Sequence, residues 1–174
     1  MNRVVALIPA RQNSIRIKNK NLKKICKFPL LWWTLISAKK SKYIDEIYVS
    51  SDSSKILDYS KKQKVQIIKR PKKFSNQFAT KKDVIYHTVN HLKKKTNLFD
   101  YLIYLQPTSP LRTNFHIDSA LKKIFKKKSL GLISVISQPD ESLWKLKVKN
   151  NKIVNDVRKN KNFSKRSQDL KKIY

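Results

Sequence analysis

The stretch VVALIPARQNS, residues 4–14, joins an unbroken apolar run to a basic and polar loop. The run Val4–Pro9 is rich in β-branched residues, which is typical of a strand that is buried on both faces of a sheet. The loop after it carries Arg11 and Arg16 and contains no glycine. Such a loop either surrounds a phosphate with side-chain donors or is one more basic patch on a basic surface, and the loop alone leaves both alternatives open.

Strand-like and helix-like segments alternate along the rest of the chain. The further predicted strands are Glu46–Asp52, Val65–Lys69, Tyr101–Gln106 and Gly131–Ser137, with a hairpin in LWKLKVKNNKIV. The predicted helices are Pro29–Lys40, a helix capped by Ser51 or Asp52 that runs to about Lys62, Lys81–Lys94 and Asn114–Lys127. This alternation predicts an α/β fold, with a doubly wound, mostly parallel sheet in a three-layer α/β/α arrangement. Because domains usually span ~100–200 residues, we expect residues 1–174 to form a single domain.

Side-chain patterns give the buried faces of two of these helices. In Lys81–Lys94 the apolar face is predicted to consist of Val84, Tyr86, Val89 and Leu92. In Asn114–Lys127 it is predicted to consist of Ile117, Leu121, Ile124 and Phe125.

The net charge of +30 first indicates a nucleic-acid partner. However, 34 of the 41 basic residues are lysines that are spread along the chain, many of them near the ends of predicted helices. Recognition of bases and phosphates usually recruits arginine as well, so we expect no nucleic-acid partner.

The apolar runs are far shorter than the ~20 residues that span a bilayer, and the N-terminus does not resemble a secretory signal. We therefore expect no membrane partner and a cytoplasmic location. Cys26 is the only cysteine, which excludes a disulfide framework.

Candidate ligand-binding residues follow the predicted strands, because open parallel sheets bind ligands beyond the carboxyl ends of their strands. These segments are Ala10–Ser14, Ser50–Asp52, Lys69–Pro71 and Gln106–Arg112. Arginines in and near them indicate that this edge of the sheet faces an anion, since guanidinium groups suit phosphate and carboxylate oxygens. Gly131 is the only glycine, which excludes a P-loop and a dinucleotide-binding fingerprint.

Several motifs, in their order and spacing, resemble the acylneuraminate cytidylyltransferase (CMP-N-acetylneuraminic acid synthetase) family. They are LIPARQNS, the pair Lys20-Asn21, IYVSSDS, KRP, SQDLKKIY and above all LQPTSPLR. The resemblance implies a Rossmann-like nucleotidyltransferase fold and a cytoplasmic enzyme of nucleotide-sugar and cell-surface polysaccharide biosynthesis. Such an enzyme transfers CMP from CTP to a nonulosonic (sialic-type) sugar acid, uses Mg²⁺, releases pyrophosphate and is generally a homodimer. The alternatives are a cytidylyltransferase for another sugar acid, such as 3-deoxy-manno-octulosonate, and an inactive nucleotide-binding fragment.

The resemblance also implies roles for individual residues. Arg11, Arg16 and Lys20 would act as catalytic groups on the triphosphate, together with Ser14. Asn21 and Arg70 would hold the cytidine, and Asp52 would have a role in the same site. The sugar acid would face Gln106 and the turn behind it, which contains Thr108, Ser109 and Arg112.

Two departures from the family pattern qualify these expectations. Ile15 stands where family members commonly have a lysine, so Arg16 would have to cover for it. The family's later acidic pair, which helps to bind Mg²⁺, has no counterpart here. We therefore expect a chain truncated at its C-terminus, with the metal ligands beyond Tyr174.

Overall fold

The computed structural model describes residues 2–12, 14, 17–76, 78–95 and 98–134, together with the backbone of residues 148–149 and 152–153. The chain divides into two compact units, Met1–Leu132 and Ile133–Tyr174. The expectation that residues 1–174 form one domain stays a prediction.

Strands and helices alternate in the first unit as the sequence predicts. Its strands are β1 (Val4–Pro9), β2 (Lys24–Ile25), β3 (Phe28–Pro29), β4 (Glu46–Ser51), β5 (Gln66–Lys69) and β6 (Tyr101–Tyr104). Its helices are α1 (Leu30–Lys39), α2 (Ser54–Lys62), α3 (Lys81–Lys94) and α4 (Asn114–Lys127), with short 3₁₀ helices at Lys20–Leu22 and Lys72–Phe74.

The central sheet has the strand order β5-β4-β1-β6, and all of its neighbouring strands are parallel. The chain leaves β1 for β4 and then β5 on one side, and it returns to place β6 on the other side of β1. A switch point therefore lies between β1 and β6, where ligands of open α/β sheets bind. This topology confirms the doubly wound, mostly parallel sheet.

The two faces of β1 pack against different helices. Val4, Ala6 and Ile8 belong to a cluster with residues of α1, α2 and α4. Val5 belongs to a second cluster, which contains Leu92 of α3. Helices thus cover both faces of the sheet, which confirms the three-layer α/β/α arrangement.

The predicted start of α2 was wrong. The helix begins at Ser54, with Ser53 as its N-cap residue and no capping bond from that side chain. Asp52 lies one residue before the N-cap, and its carboxylate accepts a hydrogen bond from the Gln12 N–H, in the loop after β1.

The predicted apolar face of α3 was also partly wrong. Tyr86 is 64% exposed, whereas Val84, Thr88 and Leu92 are buried at intervals of four residues. Thr88 can be buried because its hydroxyl donates to the Val84 carbonyl, 2.9 Å away. The predicted face of α4 is confirmed: Ile117, Leu121 and Ile124 are buried, and Phe125 packs against them.

The structure has no strand at residues 131–134, so that part of the predicted strand Gly131–Ser137 was wrong, and residues 135–137 lie outside the described residues. In the second unit, β7 (Val148–Lys149) pairs antiparallel with β8 (Lys152–Ile153), which confirms the hairpin over these residues. Among the described residues, no helix is long and apolar enough to cross a membrane.

Candidate active site

Hydrogen bonds continue past the strands at the carboxyl edge of the sheet. The Ala10 N–H donates to the Ser50 carbonyl at 2.9 Å, and the Arg70 N–H donates to the Ser51 carbonyl at 2.7 Å. On the other side of β1, the Leu105 N–H donates to the Leu7 carbonyl at 2.9 Å. The segments after β1, β4, β5 and β6 therefore leave the sheet at the same edge, as the sequence predicts.

The loop after β1 is held at two points. The Asn21 side chain is buried, and its Nδ2 donates to the Arg11 carbonyl at 2.9 Å. The Gln12 N–H donates to Asp52 Oδ1 at 2.9 Å. Asn19 adopts a left-handed backbone conformation with φ 52°, which asparagine tolerates better than most residues. Asn21 thus closes the loop on itself, and Asp52 ties the loop to the end of β4.

Three further residues of this loop, Ser14, Arg16 and Lys20, were predicted to contact the triphosphate. Ser14 is half-buried, and Arg16 lies outside the described residues. Lys20 is half-buried in the 3₁₀ helix Lys20–Leu22. Next to that helix is a small cavity of about 120 Å³. The cavity is lined by Gln12, Asn19, Leu22, Ser53, Lys55 and Ile56.

Arg70 is a buried cation at the end of β5, with 5% of its surface exposed. Its Nη2 donates to the Ser50 carbonyl at 2.7 Å, and its Nη1 makes a longer bond of 3.4 Å to the Phe74 carbonyl. Its Nε has no partner among the described residues. Burial lowers the pKa of the guanidinium, while the nearby Asp52 carboxylate opposes this change. A buried cation with an unpaired N–H is costly, so this arrangement fits an anionic or carbonyl-bearing ligand.

Tyr104 is a residue at this edge that sequence reasoning missed. It lies at the end of β6, opposite Leu7 of β1 and therefore beside the switch point. Burial raises the pKa of its hydroxyl, and the positive charge of Arg70 acts in the opposite direction. The available signal was its position two residues before Gln106, because strand residues at that interval share a face.

The turn after β6 is bound to α1. Arg112 Nη2 donates to the Gln106 carbonyl at 2.9 Å and to Thr34 Oγ1 at 3.2 Å. The Ser37 hydroxyl donates to the Arg112 carbonyl at 2.6 Å. Gln106 is half-buried, whereas Thr108 and Ser109 are exposed. The Arg112 guanidinium is therefore directed onto its own turn and onto a buried threonine.

The structure thus brings Arg11, Asn21, Asp52 and Arg70 into one group across β1, β4 and β5. Gln106 and Arg112 form a second group on the other side of the switch point. Within the described part of the chain, no three His, Cys, Asp or Glu side chains lie close enough together to hold a metal ion. The described residues therefore do not by themselves make a site for the Mg²⁺ that the resemblance implies.

This parallel α/β sheet has a switch point and, at the same carboxyl edge, a buried arginine, an arrangement that suits an anionic ligand such as a nucleotide. The family model for cytidylyltransferases matches residues 5–174. The chain therefore belongs to the cytidylyltransferase family, which confirms the resemblance seen in its motifs.

Named relatives act on several acidic sugars. The chain is 27% identical over 173 residues to the pseudaminic acid cytidylyltransferase of Campylobacter jejuni, which covers 98% of this chain and 73% of that protein. It is 34% identical over 137 residues to the CMP-N,N'-diacetyllegionaminic acid synthase of Legionella pneumophila, covering 76% of this chain and 57% of that protein. It is 31% identical over 133 residues to the N-acylneuraminate cytidylyltransferase of Oncorhynchus mykiss, covering 76% of this chain and 30% of that protein.

Solved structures agree on the fold. CMP:2-keto-3-deoxy-manno-octonic acid synthetase in complex with CTP superposes with a TM-score of 0.58 at 21% identity, covering 74% of this chain and 49% of that one. A cytidylyltransferase from Leptospira borgpetersenii gives a TM-score of 0.59 at 20% identity, covering 74% of this chain and 51% of that one. The chain thus spans about half the length of these two structures. The likeness confirms the nucleotidyltransferase fold.

Proposed function

We propose that this chain transfers CMP from CTP to a nonulosonic sugar acid and releases pyrophosphate. The observation that carries the proposal is the buried, incompletely paired Arg70 at the carboxyl edge, in a chain that the cytidylyltransferase family model matches from residue 5 to residue 174. Its named relatives act on pseudaminic, N,N'-diacetyllegionaminic and N-acylneuraminic acids, which supports a nine-carbon acidic sugar as the second substrate.

In the proposed reaction, the sugar hydroxyl attacks the α-phosphorus of CTP in line, and pyrophosphate leaves. The protein then acts mainly by positioning the substrates and by neutralising charge on the phosphates. Arg11, Arg16 and Lys20, with the Ser14 hydroxyl, would contact the triphosphate. The bonds from Asn21 to the Arg11 carbonyl and from Gln12 to Asp52 would hold the loop in place for that contact.

Arg70 would hold the cytidine from the neighbouring strand. Among the described residues, its buried Nε–H has no partner, and Nη1 and Nη2 each make one bond and keep a second N–H. A carbonyl oxygen or a phosphate oxygen would accept from one of these donors, and the Asn21 amide would complete the nucleotide site from the loop. Across the switch point, Gln106 with Thr108 and Ser109 would face the sugar acid.

The proposal includes finer expectations about the location, assembly, substrates and metal of the enzyme. It would work in the cytoplasm, as a homodimer, with CTP and the sugar acid as its partners. Mg²⁺ would neutralise phosphate charge during transfer, and its ligands would come from outside the described residues.

A substrate panel tests the proposed function. The purified chain is given CTP and Mg²⁺ with pseudaminic, legionaminic, N-acetylneuraminic or 3-deoxy-manno-octulosonic acid, and pyrophosphate release is measured. We expect release with a nonulosonic acid, and less with the octulosonate. CTP binding is measured separately by calorimetry, with UTP as the competing nucleotide. Pyrophosphate release that does not depend on any sugar acid, together with no preference for CTP over UTP, would contradict the proposal.

A further inference from the structure

We propose that Arg112 is a positioning residue that fixes Gln106 against α1, and that it does not itself contact the sugar acid. This inference rests on the proposed function, because it assigns Gln106 to the sugar subsite. It differs from the role that the family resemblance implies, in which Arg112 is one of the substrate-binding residues.

One nitrogen of the Arg112 guanidinium is fully used within the protein. Nη2 carries two N–H bonds, and its two acceptors are the Gln106 carbonyl at 2.9 Å and Thr34 Oγ1 at 3.2 Å. The residue is half-buried, and burial lowers the pKa of its guanidinium. Nε of Arg112 is also buried, without a partner among the described residues. Two of the three guanidinium nitrogens thus point into the protein.

The bonds from Arg112 to Gln106 and Thr34, called the Arg112 clamp below, are attached to the buried part of helix α1. Thr34 is 1% exposed, and its neighbours Leu31 and Leu35 lie in the main core cluster. Ser37, one turn further along the same helix, donates to the Arg112 carbonyl at 2.6 Å. Both ends of Arg112, the backbone carbonyl and the guanidinium, are therefore attached to the buried face of α1.

The clamp has a direct consequence for the turn. Residues 107–111 form the turn between β6 and α4. Arg112, at the end of this turn, bonds to Gln106 at its beginning. The Ser109 N–H also donates to the Gln106 carbonyl, and the Arg112 N–H donates to the Ser109 carbonyl. The Gln106 carbonyl accepts two bonds, from Arg112 Nη2 and from the Ser109 N–H, so its peptide plane is held, and the backbone in turn restricts the rotamers open to the Gln106 side chain.

Four variants test the inference. Arg112→Lys keeps the charge but loses the planar fork that spans two acceptors. Thr34→Val removes one acceptor at a site too deeply buried to touch a substrate, and Gln106→Ala removes the side chain that is being positioned. Arg3→Lys is the matched control, since Arg3 pairs with Glu46 beside the opposite edge of the sheet.

Two readouts are measured on the chain. The first is NMR hydrogen exchange of the Ser109 and Arg112 amides, which reports on the turn without any need for turnover. We expect roughly tenfold faster exchange in Arg112→Lys and a smaller increase in Thr34→Val, as for the loss of about one hydrogen bond. Unchanged exchange in both variants would overturn the inference, whether or not the chain turns over.

The second readout is the KM for the sugar acid compared with the KM for CTP. We expect Arg112→Lys to raise the sugar-acid KM about tenfold with little change for CTP, and to have little further effect in the Gln106→Ala background. A direct contact from Arg112 to the sugar acid would instead give additive losses and leave Thr34→Val with the wild-type KM, and that result would overturn the inference. Absence of wild-type turnover with every sugar acid would count against the proposed function. The exchange rates of the Ser109 and Arg112 amides would still show whether Arg112 holds the turn in place.

Discussion

The Gln12 backbone N–H and the Asp52 carboxylate lie 2.9 Å apart and form a hydrogen bond between the loop after β1 and the end of β4. Asp52 also lies close enough to Arg70 to favour the charged form of its guanidinium. The Asp52 carboxylate thus holds the loop that is expected to bind the triphosphate, and its charge also stabilises the arginine that is expected to bind the cytidine.

The first prediction separates the hydrogen bond of Asp52 from its charge. Asp52→Ala removes both, and we expect it to raise the KM for CTP roughly tenfold, as for the loss of one charge-assisted hydrogen bond. Asp52→Asn keeps an acceptor oxygen for the Gln12 N–H, so its KM should lie closer to the wild-type value. Steady-state kinetics with varied CTP measure both effects.

Asp58→Asn is the matched control, because Asp58 is exposed on α2. It should leave the KM for CTP unchanged. Equal losses in Asp52→Asn and Asp52→Ala would show that the charge beside Arg70 matters and the bond to Gln12 does not.

The second prediction concerns the fit of Arg70 to its site. Arg70→Lys keeps a positive charge, but an ammonium group does not reproduce the guanidinium that donates to the Ser50 and Phe74 carbonyls. We expect a loss of about 1–3 kcal/mol in the free energy of unfolding, because the Ser50 carbonyl loses its charged donor and keeps only the bond from the Ala10 N–H. Urea denaturation measures this loss, and calorimetry should show weaker CTP binding. Arg3→Lys, at a more exposed ion pair, should cost less stability than Arg70→Lys.

The sheet could be predicted from the sequence because its signals are local. The apolar run Val4–Pro9 and the periodic pattern of Asn114–Lys127 give the observed bounds of β1 and α4. The start of α2 could not be predicted in the same way. Whether Asp52 caps a helix or accepts a bond from Gln12 depends on a contact across 40 residues, which periodicity does not contain.

The candidate site shows the same division. The edge of the sheet and most of its candidate residues follow from strand order, because parallel strands end together. The partners of Arg112 do not follow, since Thr34 lies 78 residues away on another helix. Tyr104 was missed because it lies inside the predicted apolar strand Tyr101–Gln106, where an aromatic residue is usually part of the core.

The third prediction is a loss of stability on acidification. Burial, with the charges of His91, Arg70 and Lys73, lowers the pKa of His87 below its ordinary value of 6.5. Burial and the charges of Lys95 and Lys94 also lower the pKa of His91. The unfolded chain therefore takes up protons that the folded chain does not, so this part of the stability is complete above about pH 6.5 and is lost as the pH falls.

Urea denaturation at pH 7.5 and pH 5.5 measures the effect. The double change His87→Gln and His91→Gln should reduce the difference in unfolding free energy between the two pH values. Asn90→Ala, a change without a titrating group in the same helix, should shift the stability by the same amount at both. A double variant that keeps the full wild-type difference would show that other groups cause it.

The last prediction concerns a strained cysteine. Cys26 and Lys27 connect β2 to β3, and Cys26 has a φ of 57°, a left-handed conformation that favours glycine. The hairpin cannot relax easily, because the Trp33 indole donates to the Ile25 carbonyl and Phe28 stacks on Trp32 with ring centroids 3.9 Å apart. Cys26→Gly should therefore raise the free energy of unfolding by about 1 kcal/mol.

Lys27→Gly is the control, since Lys27 has no positive φ and glycine there only adds freedom to the unfolded chain. Urea denaturation under reducing conditions compares the two, and a Cys26→Gly variant less stable than the wild type would refute the strain.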